Sequence, residues 1–273
     1  MKTSSFRFIP SLLVGGALCL SLGACDTDEP ETIERSAEVE PLPEVTTDPA
    51  TAPVELSLEE QIATLQPRKT RAGFLRFTDP AVEKPEAAPL LLARLDAGED
   101  SPAVRSAIAE AIGRTHADYA AEVSARIPNE ADARVREVLV GTLGRRAPGT
   151  DAHAGLLAGL QDSEAVVRSA AARALAHRSD GAELAAGLIT LLADDDAKVR
   201  ADAARSLGVL GVADAVTALD ANLDDADADV RLNALRALHR IDPAHAAGLD
   251  LARFSTDEDS RVSRLAVRIA QGE

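Results

Sequence analysis

The dipeptide Val-Arg returns along this chain at near-constant intervals: Val104-Arg105, Val135-Arg136, Val167-Arg168, Val199-Arg200 and Val230-Arg231. The five arginines are 31, 32, 32 and 31 residues apart, and Val262 adds a sixth mark 32 residues after Val230. A fixed period of this size constrains the fold more than any local propensity does. Each unit is too small to bury its own apolar face and must stack on a neighbour, which makes a solenoid. Solenoids mostly offer an extended binding surface, and little in the repeat suggests chemistry.

The residues around each mark repeat as well. Six before the arginine position stand Glu99, Glu130, Asp162, Asp194, Asp225 and Asp257. Three after it come Ile108, Leu139, Ala171, Ala203, Ala234 and Ala266; seven after it come Ile112, Leu143, Leu175, Leu207, Leu238 and Ala270. Together with the valine, these spacings put one apolar stripe on an α-helix. Four before the arginine stand Ser101 (followed by Pro102), Asp132, Asp196, Asp227 and Asp259, all residues that accept bonds from the first N–H groups of a helix. Glu164 fits that column poorly, so Ser163 is the expected cap there.

A second amphipathic segment lies between successive marks, at about 89–95, 118–127, 152–160, 183–192, 214–223 and 245–253. Each unit therefore reads as helix A, a short acidic turn, helix B and a link with breakers such as Pro148-Gly149, Asp180-Gly181 and Pro243. No run with strand periodicity competes with this reading. The fold class predicted is all-α, an α-solenoid of about six helix pairs.

The motifs Asp162-Ser-Glu-Ala-Val-Val-Arg168, Asp194-Asp-Asp-Ala-Lys-Val-Arg200 and Asp225-Ala-Asp-Ala-Asp-Val-Arg231 carry a resemblance to the HEAT-repeat family, in particular its short subtype named after phycobilisome lyases. The resemblance covers about residues 87–273. The recurring arginine borders the apolar stripe, where an unpaired charge is costly. The acidic residue six before it, in the same or an adjacent unit, offers a bidentate partner, and the family resemblance implies such ladders. The competing reading is an arginine array that binds anions. In the sixth unit Ser263 replaces the arginine, Arg264 is shifted by one and Ala270 replaces leucine, as expected of a capping repeat.

The front of the chain bears on location. Met1–Arg7 is a basic n-region and Phe8–Leu22 a short apolar stretch that ends too abruptly for a membrane span. Leu22-Gly23-Ala24-Cys25 resembles the bacterial lipobox. That resemblance implies cleavage before Cys25, lipid attachment there, and a membrane-anchored lipoprotein of the cell envelope; a plain secretory signal cut after Ala24 is the rival, and a cytosolic start the third reading. Asp26 does not settle which membrane. Cys19 would leave with residues 1–24, so Cys25 would have no disulfide partner within the chain. Residues 25–55, rich in Glu, Asp, Pro and Thr with Arg35 as the one basic residue, predict a disordered tether. Ser57-Leu-Glu-Glu60 is a capping box opening a helix to about Leu65, and the rest of 56–86 predicts an irregular lead-in to the repeat domain at 87–273.

The formal charge of −16, or −18 once Lys2 and Arg7 are removed, argues against nucleic-acid binding and against a polybasic grip on lipid. The aromatics left after residue 24 are Phe74, Phe77, Phe254 and Tyr119, too few for stacking pockets. One basic column stands out: Arg173, Arg205, Arg236 and Arg268, five residues after the mark and away from the apolar stripe, with Arg114, Arg145, His177 and Arg240 extending the face. It reads either as a stripe for an acidic peptide or anionic polymer, or as a solvated helix face. His116, His153, His177, His239 and His245 show no ligand spacing, and neither a phosphate loop nor a nucleophile elbow is present. The expectation is a non-enzymatic, lipid-anchored scaffold or adaptor with a protein partner. No cofactor, metal, nucleic acid or small-molecule substrate is expected. The alternatives are a lyase- or chaperone-like auxiliary acting on a chromophore or client, and a plain structural spacer.

Overall fold

The computed structural model describes residues 56–98, 100–146 and 149–273. The expected leader, Cys25 and tether lie outside the described residues, as do Glu99 and Pro148. Helix α1 (Leu58–Thr64) comes first, then a small antiparallel hairpin, β1 (Arg68–Lys69) and β2 (Leu75–Arg76). Six helix pairs follow: α2 (Ala87–Ala97) with α3 (Pro102–Arg114), α4 (Ala120–Arg126) with α5 (Ala133–Leu143), α6 (His153–Leu160) with α7 (Ala165–Ala176), α8 (Ala185–Thr190) with α9 (Ala197–Leu210), and α10 (Val216–Ala221) with α11 (Ala228–Ile241). In the sixth the A position is split into α12 (Pro243–Gly248) and α13 (Leu251–Ser255) before α14 (Ser260–Ala270). The all-α repeat architecture is the one expected from the period, and the B helices α3, α5, α7, α9, α11 and α14 stack in sequence order.

The apolar stripe is the core. Val135, Leu139 and Leu143 are fully buried, as are Val199, Ala203 and Leu207, and Val230, Ala234 and Leu238. A buried leucine contributes about 1.5–3 kcal/mol relative to exposure, so each B helix is held mainly by this stripe. In the sixth unit Ile269 is buried in place of the exposed Ala270. Ser101 caps α3, Asp132 caps α5, Asp196 caps α9, Asp227 caps α11 and Asp259 caps α14, as their column predicts. The exception is α7. Glu164, not Ser163, holds the cap position and makes no side-chain cap bond. The Asp162 carboxylate accepts the Glu164 N–H instead, and the Ser163 carbonyl accepts from Arg168.

The ladder resolves the role of the marked arginines. Each one reaches forward into the next unit. Arg136 grips Asp162 (2.7 and 2.8 Å), Arg168 grips Asp194 (2.7 and 2.8 Å), Arg200 grips Asp225 (2.7 and 2.9 Å) and Arg231 grips Asp257 (2.9 and 2.8 Å). Arg105 does the same with Glu130 (3.1 and 2.9 Å). The remaining guanidinium nitrogen donates to carbonyls at the start of the arginine's own unit, as Arg168 does to Asp162 and Ser163, both at 2.9 Å. A rung thus joins its own turn, its own helix and the following turn, and no ladder arginine is left to take an anion. Ser263, in the arginine position of the sixth unit, bonds back to Ser260 O within its own helix.

Two arginines ten residues after a mark, buried Arg178 and half-buried Arg146, act as further clamps. Arg178 donates to Leu143 O at the end of α5 (2.9 Å) and grips Asp180, while Arg146 donates to Ile112 O in the last turn of α3 and to Thr115 O and Ala117 O beyond it. Such bonds satisfy carbonyls that a helix C-terminus leaves unpaired.

The lead-in is more ordered than its prolines suggest. The capping box at Ser57 and Glu60 forms, Ile62 is buried, and α1 packs on α2. Arg94 ties the two together by donating to Ile62 O and Leu65 O while pairing with Asp100. The hairpin turn closes through Thr70, which accepts from Gly73 and Phe74, with Gly73 at φ +90. No two-residue strand carries enough alternation to be read from sequence. Phe77, fully buried under the Arg94 guanidinium, fixes the hairpin's exit.

Candidate functional site

With the core stripe facing the A helices, the opposite face of the B row is open, and the basic column lies on it. Position five after the mark holds Glu110, Gly141, Arg173, Arg205, Arg236 and Arg268 on successive B helices. The structure divides the four candidate arginines. Arg173 is half-buried and committed: it donates to Ser169 Oγ (2.6 Å) and to Asp202 (3.0 Å). Asp202 is buried on α9 and also accepts from Ser169 (2.6 Å) and Lys198 (3.4 Å). Arg205 is exposed and has no carboxylate partner among the described residues. Exposed Arg236 makes one 3.3 Å bond to Asn233, and Arg268 approaches Glu273 at 3.8 Å. Arg145, His177 and Arg240 extend the exposed face as expected. Arg114 does not: it points to the lead-in, donating to Phe77 O (2.7 Å) and Glu83 (3.1 Å).

At its N-terminal end this face deepens into a groove of ≈ 980 Å³ that sequence reasoning missed. The hairpin forms one wall, with Phe74 59% exposed, and Arg76 pins it to α3 through Glu110 at 3.1 Å. The floor is small and mostly apolar: Ala103 and Ser106 from α3, Val138 and Gly141 from α5, Ala170 and Ala174 from α7. Arg134, Glu137, Arg145, Arg173 and His177 stand around it. Glu137 is held by Arg134 at 2.7 Å, whereas Arg145 has no carboxylate partner among the described residues. The available signals were a glycine in the column position one unit before its first arginine and one of the few aromatics, Phe74, set beside Arg68, Lys69, Arg71 and Arg76.

The histidines that make close polar contacts tie an A segment to the neighbouring unit, His153 to the link before α8 and His245 to α10. His153 bonds Asp180 at 3.1 Å, and His245 bonds Asp220 at 2.9 Å, which raises the His245 pKa above its usual value. Among the described residues no group of three or more His, Cys, Asp or Glu is placed to hold a metal, and no helix is long and apolar enough to cross a membrane. The groove and stripe offer shape, guanidinium donors and apolar surface, which are the means of recognition.

Solved structures similar to this chain include an engineered protein, 20% identical, with 71% of this chain and 60% of that one covered and a TM-score of 0.48. This chain thus spans 60% of that protein's length. A computationally designed armadillo repeat protein for modular peptide recognition is 18% identical, with 67% and 98% covered and a TM-score of 0.49. The complex of CpcE and CpcF of phycocyanin lyase from Nostoc sp. PCC7120 is 21% identical, with 83% and 80% covered and a TM-score of 0.43. No curated protein sequence matches the chain. The family pattern for HEAT repeats matches residues 120–207, 154–239 and 185–270 in overlapping register. Those matches span more than half of the 273 residues and fall on the helix pairs joined by the arginine ladder, and the chain belongs to the HEAT-repeat family.

Proposed function

We propose that the protein is a lipid-anchored scaffold or adaptor of a bacterial cell envelope that docks an acidic segment of a partner protein along the open face of its B helices. The observation carrying this reading is the division of labour among the arginines. All five ladder arginines are saturated by carboxylates of the next unit, whereas Arg205, Arg236 and Arg240 stand exposed with no carboxylate partner among the described residues, in a chain of formal charge −16. Free guanidinium groups in fixed register favour carboxylates and set partner choice more than raw affinity. The n-region, the apolar stretch and Leu22-Gly23-Ala24-Cys25 support the envelope location, with acylation of Cys25 as the anchor. Because one acyl chain binds a membrane only marginally, stable anchoring requires more than one.

A crosslinked pull-down from detergent-solubilised membranes, with wild-type and Cys25→Ser chains, tests anchoring and partner together. A stoichiometric protein captured by wild type and lost from the membrane fraction with Cys25→Ser is the expected result. Arg205→Glu with Arg236→Glu should weaken capture of that partner by about tenfold or more; unchanged affinity would sink the stripe. The second reading, an auxiliary acting on a chromophore or client, is favoured by the size of the groove beside Phe74. A coloured or small-molecule ligand retained through purification would select it.

A further inference from the structure

We infer that the groove between the hairpin and helices α5 and α7 is an anchor pocket for one apolar side chain of an extended, acidic partner segment. This rests on the stripe reading and adds to it a specificity-determining site. Gly141 carries the argument. A glycine in mid-helix is disfavoured relative to alanine and calls for a reason. Gly208 within α9 has one, as does Gly144 at the C-cap of α5: a Cβ would meet Ala237 or Ala174 of the next B helix at 2.7–2.8 Å. A Cβ on Gly141 would meet nothing within 4 Å, because it points into the groove. None of the described residues uses that space, so it suits an occupant.

Two further features say what fits. Phe74, a large apolar side chain left 59% exposed, stands over the floor as one wall, and Ser106 Oγ is buried in the groove with no hydrogen-bond partner among the described residues. An apolar side chain covers Phe74, and turning the Ser106 hydroxyl, closed to solvent in its present rotamer, toward the groove would give it a partner on the backbone of an extended segment. Charge then selects the flanks. Glu110 and Glu137 are neutralised by Arg76 and Arg134, so Arg145 leaves the rim net positive and suited to a carboxylate. Stacked helices sit about 8–10 Å apart and an extended chain advances about 3.3 Å per residue, so successive units meet roughly every third residue. The partner segment therefore carries an apolar anchor with acidic residues recurring at about three-residue intervals toward Arg205 and Arg236.

The test uses the full chain and fluorescence anisotropy with a labelled synthetic peptide: one leucine, then glutamate at every third position, with glycine and serine between. Controls replace the leucine by glycine, or the glutamates by glutamine. Wild type should bind the leucine peptide about tenfold tighter than the glycine peptide, a factor within the range for burying one such side chain. Gly141→Leu, which fills the groove from a position with open space, should keep its helical signal and a melting temperature no lower than wild type, and erase that preference. Phe74→Ser should reduce it. Arg205→Glu with Arg236→Glu should weaken both acidic peptides alike. Equal binding of leucine and glycine peptides by wild type overturns the pocket, and the stripe stands if the charge reversal still weakens both. A leucine preference that survives charge reversal but disappears in Gly141→Leu keeps the pocket and removes the stripe. No binding of any peptide overturns both.

Discussion

At the scale of single residues, the glycines of the B row show that one residue type serves opposite ends. Gly144 and Gly208 sit eight residues after a mark, where the next B helix comes close enough that a Cβ would touch Ala174 or Ala237. Gly208→Ala should therefore destabilise the fold by about 1–3 kcal/mol through overpacking. Gly141→Ala should do the reverse, raising stability by about 1 kcal/mol, since the new methyl meets open space and the helix gains a better former. Chemical denaturation of the two variants beside wild type checks both signs; a loss of stability in Gly141→Ala would mean the groove is not open. Sequence alone does not separate these glycines. Spacing assigns both to helix B, but whether a Cβ collides depends on how closely the next helix lies. The same limit applies to the arginine column: Arg173 and Arg205 are equivalent by spacing, yet only Arg173 meets a buried carboxylate, because Asp202 occurs in one unit.

At the scale of helices and turns, the ladder was the most legible part of the chain, because its residues recur. The acidic and basic columns and the caps could all be placed from spacing, and what spacing left open was whether the pair closes within a unit or between units. Closure between units makes each rung a tie across a helix–helix interface. Arg168→Met would strand Asp194, whose side chain is 7% exposed, and would leave Asp162 O and Ser163 O without their donor. Removing one partner of such a pair costs about 3–5 kcal/mol, since the remaining charge stays buried. The contrasting variant is Arg134→Met, which loses a surface pair with Glu137 in which the arginine is 61% exposed and should cost under about 1 kcal/mol. Urea unfolding distinguishes them, and similar midpoints for the two variants would show that the rungs do not bear on stability. Because repeat stability is a sum of unit and interface contributions, a broken rung in the middle should also broaden the transition as the two halves decouple. The hairpin, in contrast, was illegible. Two residues per strand carry no periodicity, and its position depends on Phe77, Arg94 and Glu110, each distant in sequence from the turn.

For the whole molecule, the ladder makes stability a matter of pH. Hydrogen bonds from Arg200 and Arg231 hold the Asp225 and Asp257 carboxyls below the usual carboxylate value, outweighing the opposing effect of burial. At Asp162 and Asp194 burial is the largest single influence and acts upward. The bonds from Arg136 and Arg168, with those from the Glu164 and Asp196 N–H groups, together overcome it and again leave the carboxyls low. A carboxyl that titrates lower when folded than when unfolded contributes its full stabilisation above the unfolded pKa, about 4, and loses it as pH falls through the folded value. The four rungs act in the same direction, so stability should change little on their account from neutral pH to about 5, then fall steeply below about 4 as the unfolded chain takes up protons that the folded ladder refuses. Asp225→Asn provides the control. It lowers stability at neutral pH by weakening the Arg200 rung, and it removes one of the groups responsible for the acid slope, so its curve of unfolding free energy against pH should be shallower below 4. Parallel curves for variant and wild type would place the acid sensitivity elsewhere. His245 contributes with the opposite sign. Its bond to Asp220 raises its pKa, so that stabilisation is complete below the ordinary histidine value and is lost as pH rises through the folded one. His245→Gln should therefore flatten the stability profile on the alkaline side while leaving the acid limb of the ladder untouched, which separates the contribution of the A helices from that of the rungs within a single titration series.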